Sequence, residues 1–161
     1  MPTSETIVEY LRWAVPICFG LHVFEEFLWP GGFIEWYHLY RPKLAAESRS
    51  YYYIANAVYF ALTLRVPLAH SGTGSHYTLL FVSGLLLSNL VFTHIRGTIK
   101  TKRFSPGIVT GILYVPLFVA SYGFLLSKGL VSWPGALVCL ALSPLPEIYF
   151  AWKPAFINNK K

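Results

Sequence analysis

Residues 77–95 read YTLLFVSGLLLSNLVFTHI. The run carries no Asp, Glu, Lys or Arg. As a helix rising about 1.5 Å per residue it would nearly cross a hydrocarbon core about 30 Å thick. Working outward, four similar stretches are predicted at about 7–29, 51–68, 105–126 and 131–152. They are separated by the breaker Pro30-Gly31-Gly32, a polar turn from His70 to His76, a basic loop from Arg96 to Arg103 and a tight turn from Ser127 to Leu130. Hydrophobic residues make up 55% of the chain and charged ones 12%, about half the charge that a soluble domain carries. Spans of roughly 20 residues each would use most of the 161 residues and leave no room for a soluble domain. The expected fold is an all-α, polytopic bundle of about five transmembrane helices forming one domain over residues 1–161.

The formal net charge is +6, and its distribution matters more than its sum. With five spans, Arg41, Lys43, Arg49, Arg96, Lys100, Lys102, Arg103, Lys153, Lys160 and Lys161 fall on one side. Arg12 and Lys128 fall on the other, with Arg65 near a helix end. The positive-inside rule then predicts an outer N-terminus and a cytoplasmic C-terminus, and no nucleic-acid partner is needed to explain the charge. Glu5 and Glu9 stand where a signal peptide would be basic, so the first span is expected to remain in the membrane. Cys18 and Cys139 lie in apolar stretches and read as small hydrophobes. Phe33 to Tyr40 reads as a short interfacial helix, and Tyr51-Tyr52-Tyr53 as an interface anchor. The host membrane is left open between a bacterial plasma membrane and the endoplasmic reticulum, and so is the oligomeric state.

Ionisable residues within spans cost about 2.5–3.5 kcal/mol each at mid-helix, so they point to function. The first span holds His22, Glu25 and Glu26, with His22 and Glu26 one turn apart on one face. Asn56 in the second span, Asn89 and His94 in the third, Thr110 in the fourth and Glu147 in the fifth are expected at similar, inner-leaflet depth. Together they predict one shared polar cavity. His22, Glu25, Glu26 and His94 are candidate ligands for a zinc or iron ion. The same residues with Glu147 are candidate acids and bases, and Asn56, Asn89 and Arg103 are candidate substrate-binding groups. Ser105-Pro106-Gly107 reads as a helix start with serine at the cap.

His22-Val23-Phe24-Glu25-Glu26, followed by Asn89, His94, the run Arg103-Phe104-Ser105-Pro106-Gly107 and Thr110, resembles the HXXEE family of small membrane proteins, over roughly residues 10 to 125. The resemblance implies an enzymatic role but supplies no substrate. One feature departs from it: Asn89 and His94 are five residues apart rather than one turn. On a regular helix that sets them about 140° apart and turns Asn89 away from the site of His94. Three functions remain open at this point. The first is a membrane-embedded enzyme acting on a lipophilic, lipid- or isoprenoid-like substrate, either metal-dependent or a metal-free acid–base isomerase or cyclase. The second is a lipid-binding or carrier protein, and the third an assembly subunit. A shared site requires His22 and His94 to lie within about 10 Å, because ligands to one ion or partners in one proton transfer must meet.

Overall fold

Thr3 sets the start of the first helix by accepting the Thr6 N–H at 3.2 Å, with Glu5 in the first turn. In the computed structural model, which describes residues 2–69 and 72–152, this helix is α1, Ser4–Phe27. It stops where Gly31 and Gly32 adopt φ of 74° and 85° and turn the chain into α2, Phe33–Tyr40. There follow α3 (Arg49–Leu68), α4 (Thr73–Thr101) and α5 (Ile108–Ser127). The last helix, α6, is broken at Ser143 and Pro144 into Trp133–Leu142 and Leu145–Trp152. His70, Lys153, Lys160, Lys161 and the side chain of Trp152 lie outside the described residues.

The chain is all-α among the described residues, as expected, and α1, α4 and α5 are long and apolar enough to cross a membrane. The other two expected spans fall short of that for separate reasons. α3 has the length, but its tyrosines, Asn56 and Arg65 dilute its apolar character. α6 is divided at Ser143 and Pro144 into two short segments. α4 is the centre of the bundle, packed against α5 and α6, while α1 packs against α3 and α5. Val15, Val66, Leu79, Leu80, Leu86, Tyr114 and Leu125 fill the interior. Ile17, Leu21, Phe24, Val115 and Val119 point outward, as lipid-facing side chains do. Packing in such a bundle depends on close van der Waals fit at small residues. At Gly84 an added Cβ would sit 2.5 Å from Ser143 Oγ, so the glycine leaves room for the Ser143 side chain against the backbone of α4.

Two elements differ from the regular helices expected. Residues Leu90–Ile95 of α4 form a π-helical turn, whose i→i+5 bonding brings residues five apart toward one face. The α2 helix does not rest with its apolar face in the interface; Phe33, Ile34 and Trp36 are buried against Tyr52. Trp36 lies over Gly97, where any side chain would strike its ring, and its indole N–H donates to Arg103 O at 3.3 Å. Of the tyrosine run, Tyr52 is buried and bonded to Leu44 O, whereas Tyr51 and Tyr53 are exposed.

Arg12, counted in the sequence only as an outer-side charge, is 5% exposed. Its Nε donates to Val66 O at 2.8 Å and its Nη2 to Ala69 O, so it caps the C-terminal end of α3, where Pro67 interrupts the helix. Arg12→Met should therefore leave buried carbonyls without donors and cost about 1–3 kcal/mol. Thermal unfolding in detergent, with Arg65→Met as a control at an exposed site, measures the difference.

Candidate functional site

The motif residues occupy the last turns of α1, and helical geometry sorts them. His22 and Glu26, four apart, share one face, and His22 Nε2 lies 3.4 Å from Glu26 Oε1. His94, on the π turn of α4, brings its Nε2 to 3.4 Å from the same oxygen. The two imidazoles meet edge to face with centroids 4.7 Å apart, well inside the 10 Å that a shared site requires. One ligand atom from each of His22, Glu26 and His94 lies within 4.8 Å of the other two, and all three residues are buried.

The surroundings fix the orientation of His94. Ser105 Oγ lies 2.8 Å from His94 Nδ1 and 3.2 Å from Pro106 O. When its proton goes to Pro106 O, His94 carries a proton on Nδ1 and a lone pair on Nε2, the tautomer that a metal ligand needs; when it goes to Nδ1 the roles of the two nitrogens reverse. Trp36 stacks on the ring at 6.1 Å with planes 5° apart. Tyr114 covers His22 at 5.2 Å. Ser105 thus orients the site histidine and does not cap α5.

Glu25 does that capping from another helix. Its carboxylate accepts Gly107 N–H at 2.9 Å, Val109 N–H at 3.3 Å, Thr110 N–H at 2.7 Å and Thr110 Oγ1 at 2.5 Å. These are the N–H groups that a helix start leaves without intrahelical partners. Glu25 is therefore engaged away from the His22–Glu26–His94 group, and Thr110, expected in the shared polar cavity, is one of its main partners. The cap holds Gly107 (φ +92°) against the site: a Cβ there would lie 2.7 Å from His22 Cε1, 2.8 Å from His94 Cε1 and 2.9 Å from Glu26 Cγ.

His22 and Glu26 open onto a cavity of about 240 Å³. Aromatic rings from Phe19, Phe33, Tyr37 and Tyr59 line it, with Glu47 and the exposed Tyr51 at its accessible end. Asn56 lines it too, its Nδ2 bonded to Tyr52 O at 3.1 Å. Asn89, Thr93 and Glu147 line it as well, with Asn89 Nδ2 donating to Glu147 Oε1 at 3.3 Å and Thr93 Oγ1 to Oε2 at 3.0 Å. The regular-helix expectation that Asn89 would turn away from the site is thus corrected, because the π turn intervenes between it and His94. Arg103 is exposed and meets Trp36 through its backbone carbonyl, so it does not line this cavity. His38 bonds Tyr52 at 3.0 Å instead of reaching inward.

Sequence reading missed four contributors. Arg41 was taken as a topological charge, yet it is buried on the cavity wall and lies against the rings of Tyr37 and Tyr40. Trp36 and Tyr114 read as ordinary aromatics, and Gly107 as a helix start. Only Gly107, in Ser-Pro-Gly after a basic loop, carried a local sign of a special backbone.

A bundle with membrane-length helices and a buried His–Glu–His cluster defines the class of protein. The chain belongs to the HXXEE family, described as proteins of unknown function with an HXXEE motif, which matches residues 13–121. That stretch contains His22, Glu25, Glu26, Asn89, His94 and Thr110, while Glu147 lies beyond it. No curated protein and no solved structure matches the chain.

Glu25→Ala should cost about 1–3 kcal/mol by leaving the start of α5 without its acceptors. Glu25→Gln, which keeps one acceptor oxygen, should cost less. Detergent thermal unfolding that shows neither variant destabilised would contradict the capping role.

Proposed function

We propose that this chain is a membrane-embedded, metal-dependent enzyme acting on a lipophilic substrate, with His22, Glu26 and His94 as ligands to zinc or iron. The observation that carries this reading is the convergence of three buried donors at one end of an aromatic cavity. The two 3.4 Å edges that meet at Glu26 Oε1 are what bonds of about 2.1 Å subtend in a tetrahedral site. In its Nδ1–H tautomer His94 would aim a lone pair at the same point. Two imidazoles and a carboxylate leave coordination positions open, which suits zinc hydrolysis or iron oxygen chemistry. A bound ion would supply Lewis acidity or an activated water. Glu147, across the cavity, is the second carboxylate and the proposed proton acceptor. Its hydrogen bonds to Asn89 and Thr93 hold it in one position.

In the proposed arrangement all five long helical regions cross the bilayer, N-terminus outside, which sets the site in the inner-leaflet half. The basic loops Arg41 to Arg49 and Arg96 to Arg103 then share the cytoplasmic face. The cavity is lined by α1, α2, α3, the connection after α2, α4 and the second half of α6. Its aromatic walls suit an apolar substrate body, and the polar groups set among them suit a polar end.

Elemental analysis of detergent-purified protein tests the reading. Wild type should carry about one zinc or iron per chain, and His22→Ala, Glu26→Ala and His94→Ala should lose it. Glu25→Gln should keep it, since Glu25 serves α5. A folded wild type free of both metals, or metal that persists in all three ligand variants, would sink the proposal.

A further inference from the structure

The wall of the cavity onto which His22 and Glu26 open contains an amide whose orientation follows from an ionised Glu147. Asn89 Nδ2 donates to Glu147 Oε1, and a carboxylate only accepts, so the donor end of the amide must face Glu147. Thr93 holds the other oxygen of Glu147, so that carboxylate stays in place opposite the amide. Rotating the amide by half a turn would set two acceptors against each other. The remaining end, Asn89 Oδ1, is buried and has no partner among the described residues. Asn89 lines the same cavity as His22 and Glu26. A buried acceptor without a donor is costly and rare, and here the acceptor belongs to a residue of the cavity wall.

We propose that Asn89 Oδ1 reads a hydrogen-bond donor on the substrate, whose polar end is an alcohol hydroxyl and not a carboxylate or an ether. A hydroxyl donates its proton to Asn89 Oδ1 and keeps lone pairs for the His22–Glu26–His94 end of the cavity. A carboxylate or an ether oxygen has no proton to give, and it would set an acceptor against Oδ1. Glu147 reinforces the choice by locking the amide, so Asn89 acts as a specificity-determining residue and Glu147 as its orienting partner. A site built around a hydrogen bond to a substrate hydroxyl discriminates strongly against analogues lacking it, because its own buried group is then left unpaired. The inference rests on the cavity being the substrate site.

The test is binding of 1-decanol, decyl methyl ether and decanoate to the full-length protein in detergent, followed by quenching of intrinsic tryptophan and tyrosine fluorescence. The alcohol should bind about tenfold or more tightly than either analogue. Asn89→Leu, which keeps the bulk and removes the acceptor, should level the three affinities while metal content stays at the wild-type value. Equal binding of the three probes by wild type overturns the proposal, as does an alcohol preference that survives in Asn89→Leu. The wild-type series decides the matter even if the variant fails to fold. It is read with or without bound metal, so a metal-free protein overturns the reading of the preceding subsection and leaves this one to its own result.

Discussion

The carboxylate of Glu25, set on the N-terminus of α5, is the contact on which the geometry of the site depends. A helix that starts inside a membrane protein has N–H groups with no water to receive them, and each one left bare in hydrocarbon costs several kcal/mol. A serine or aspartate at the cap is the local solution. Here the cap residue is Gly107 and the acceptor comes from α1, so the start of α5 can form only against the end of α1. Closing that contact carries the Ser105–Gly107 turn onto the imidazoles, which glycine alone permits at φ +92° and at such close approach. Ser105 then meets His94 Nδ1, so the orientation of the ring follows from the same turn.

Adjacent glutamates therefore do different work because of helical geometry. Successive residues on a helix point about 100° apart. Glu25 faces α5 while Glu26 faces α4 and the cavity. Arg12, further up the same helix, treats the carbonyls at the end of α3 as Glu25 treats the amides at the start of α5. α1 thus carries one charge of each sign, each placed on the helix end of opposite partial charge. This pairing accounts for two of the buried ionised groups without any functional role.

Much of this could be read in the sequence. Apolar runs with polar breaks gave the helices, and the cost of ionisable groups in a membrane singled out His22, Glu26, His94 and Glu147. Asn89 was assigned to the site by depth and then turned away from it by assuming regular helix. The π turn that restores it, with Leu90, Thr93 and His94 buried, has no clear signature in LVFTHI. The division between Glu25 and Glu26 was also hidden, since it depends on which helix lies on which side of α1. Arg41 was misread for a related reason: a basic residue in a loop between spans counts toward topology, and only the tertiary structure shows that this loop folds back under the cavity.

Charge balance gives the argument for a cation its force. Glu25 has the α5 amides, and Glu147 has Asn89 and Thr93 with Arg41 on the same cavity wall. Glu26 faces two imidazole nitrogens. One of them, His94 Nε2, bears a lone pair once Nδ1 has donated to Ser105. A carboxylate oxygen and an imidazole lone pair directed at each other repel in a medium of low dielectric, unless a proton or a metal ion lies between them. Glu26 Oε1 makes two such contacts at equal distance, to His22 and to His94, and each is bridged either by the Nε2 proton of its own imidazole or by one shared ion. The divalent ion of the proposed function would satisfy both contacts at once and offset the charge of Glu26.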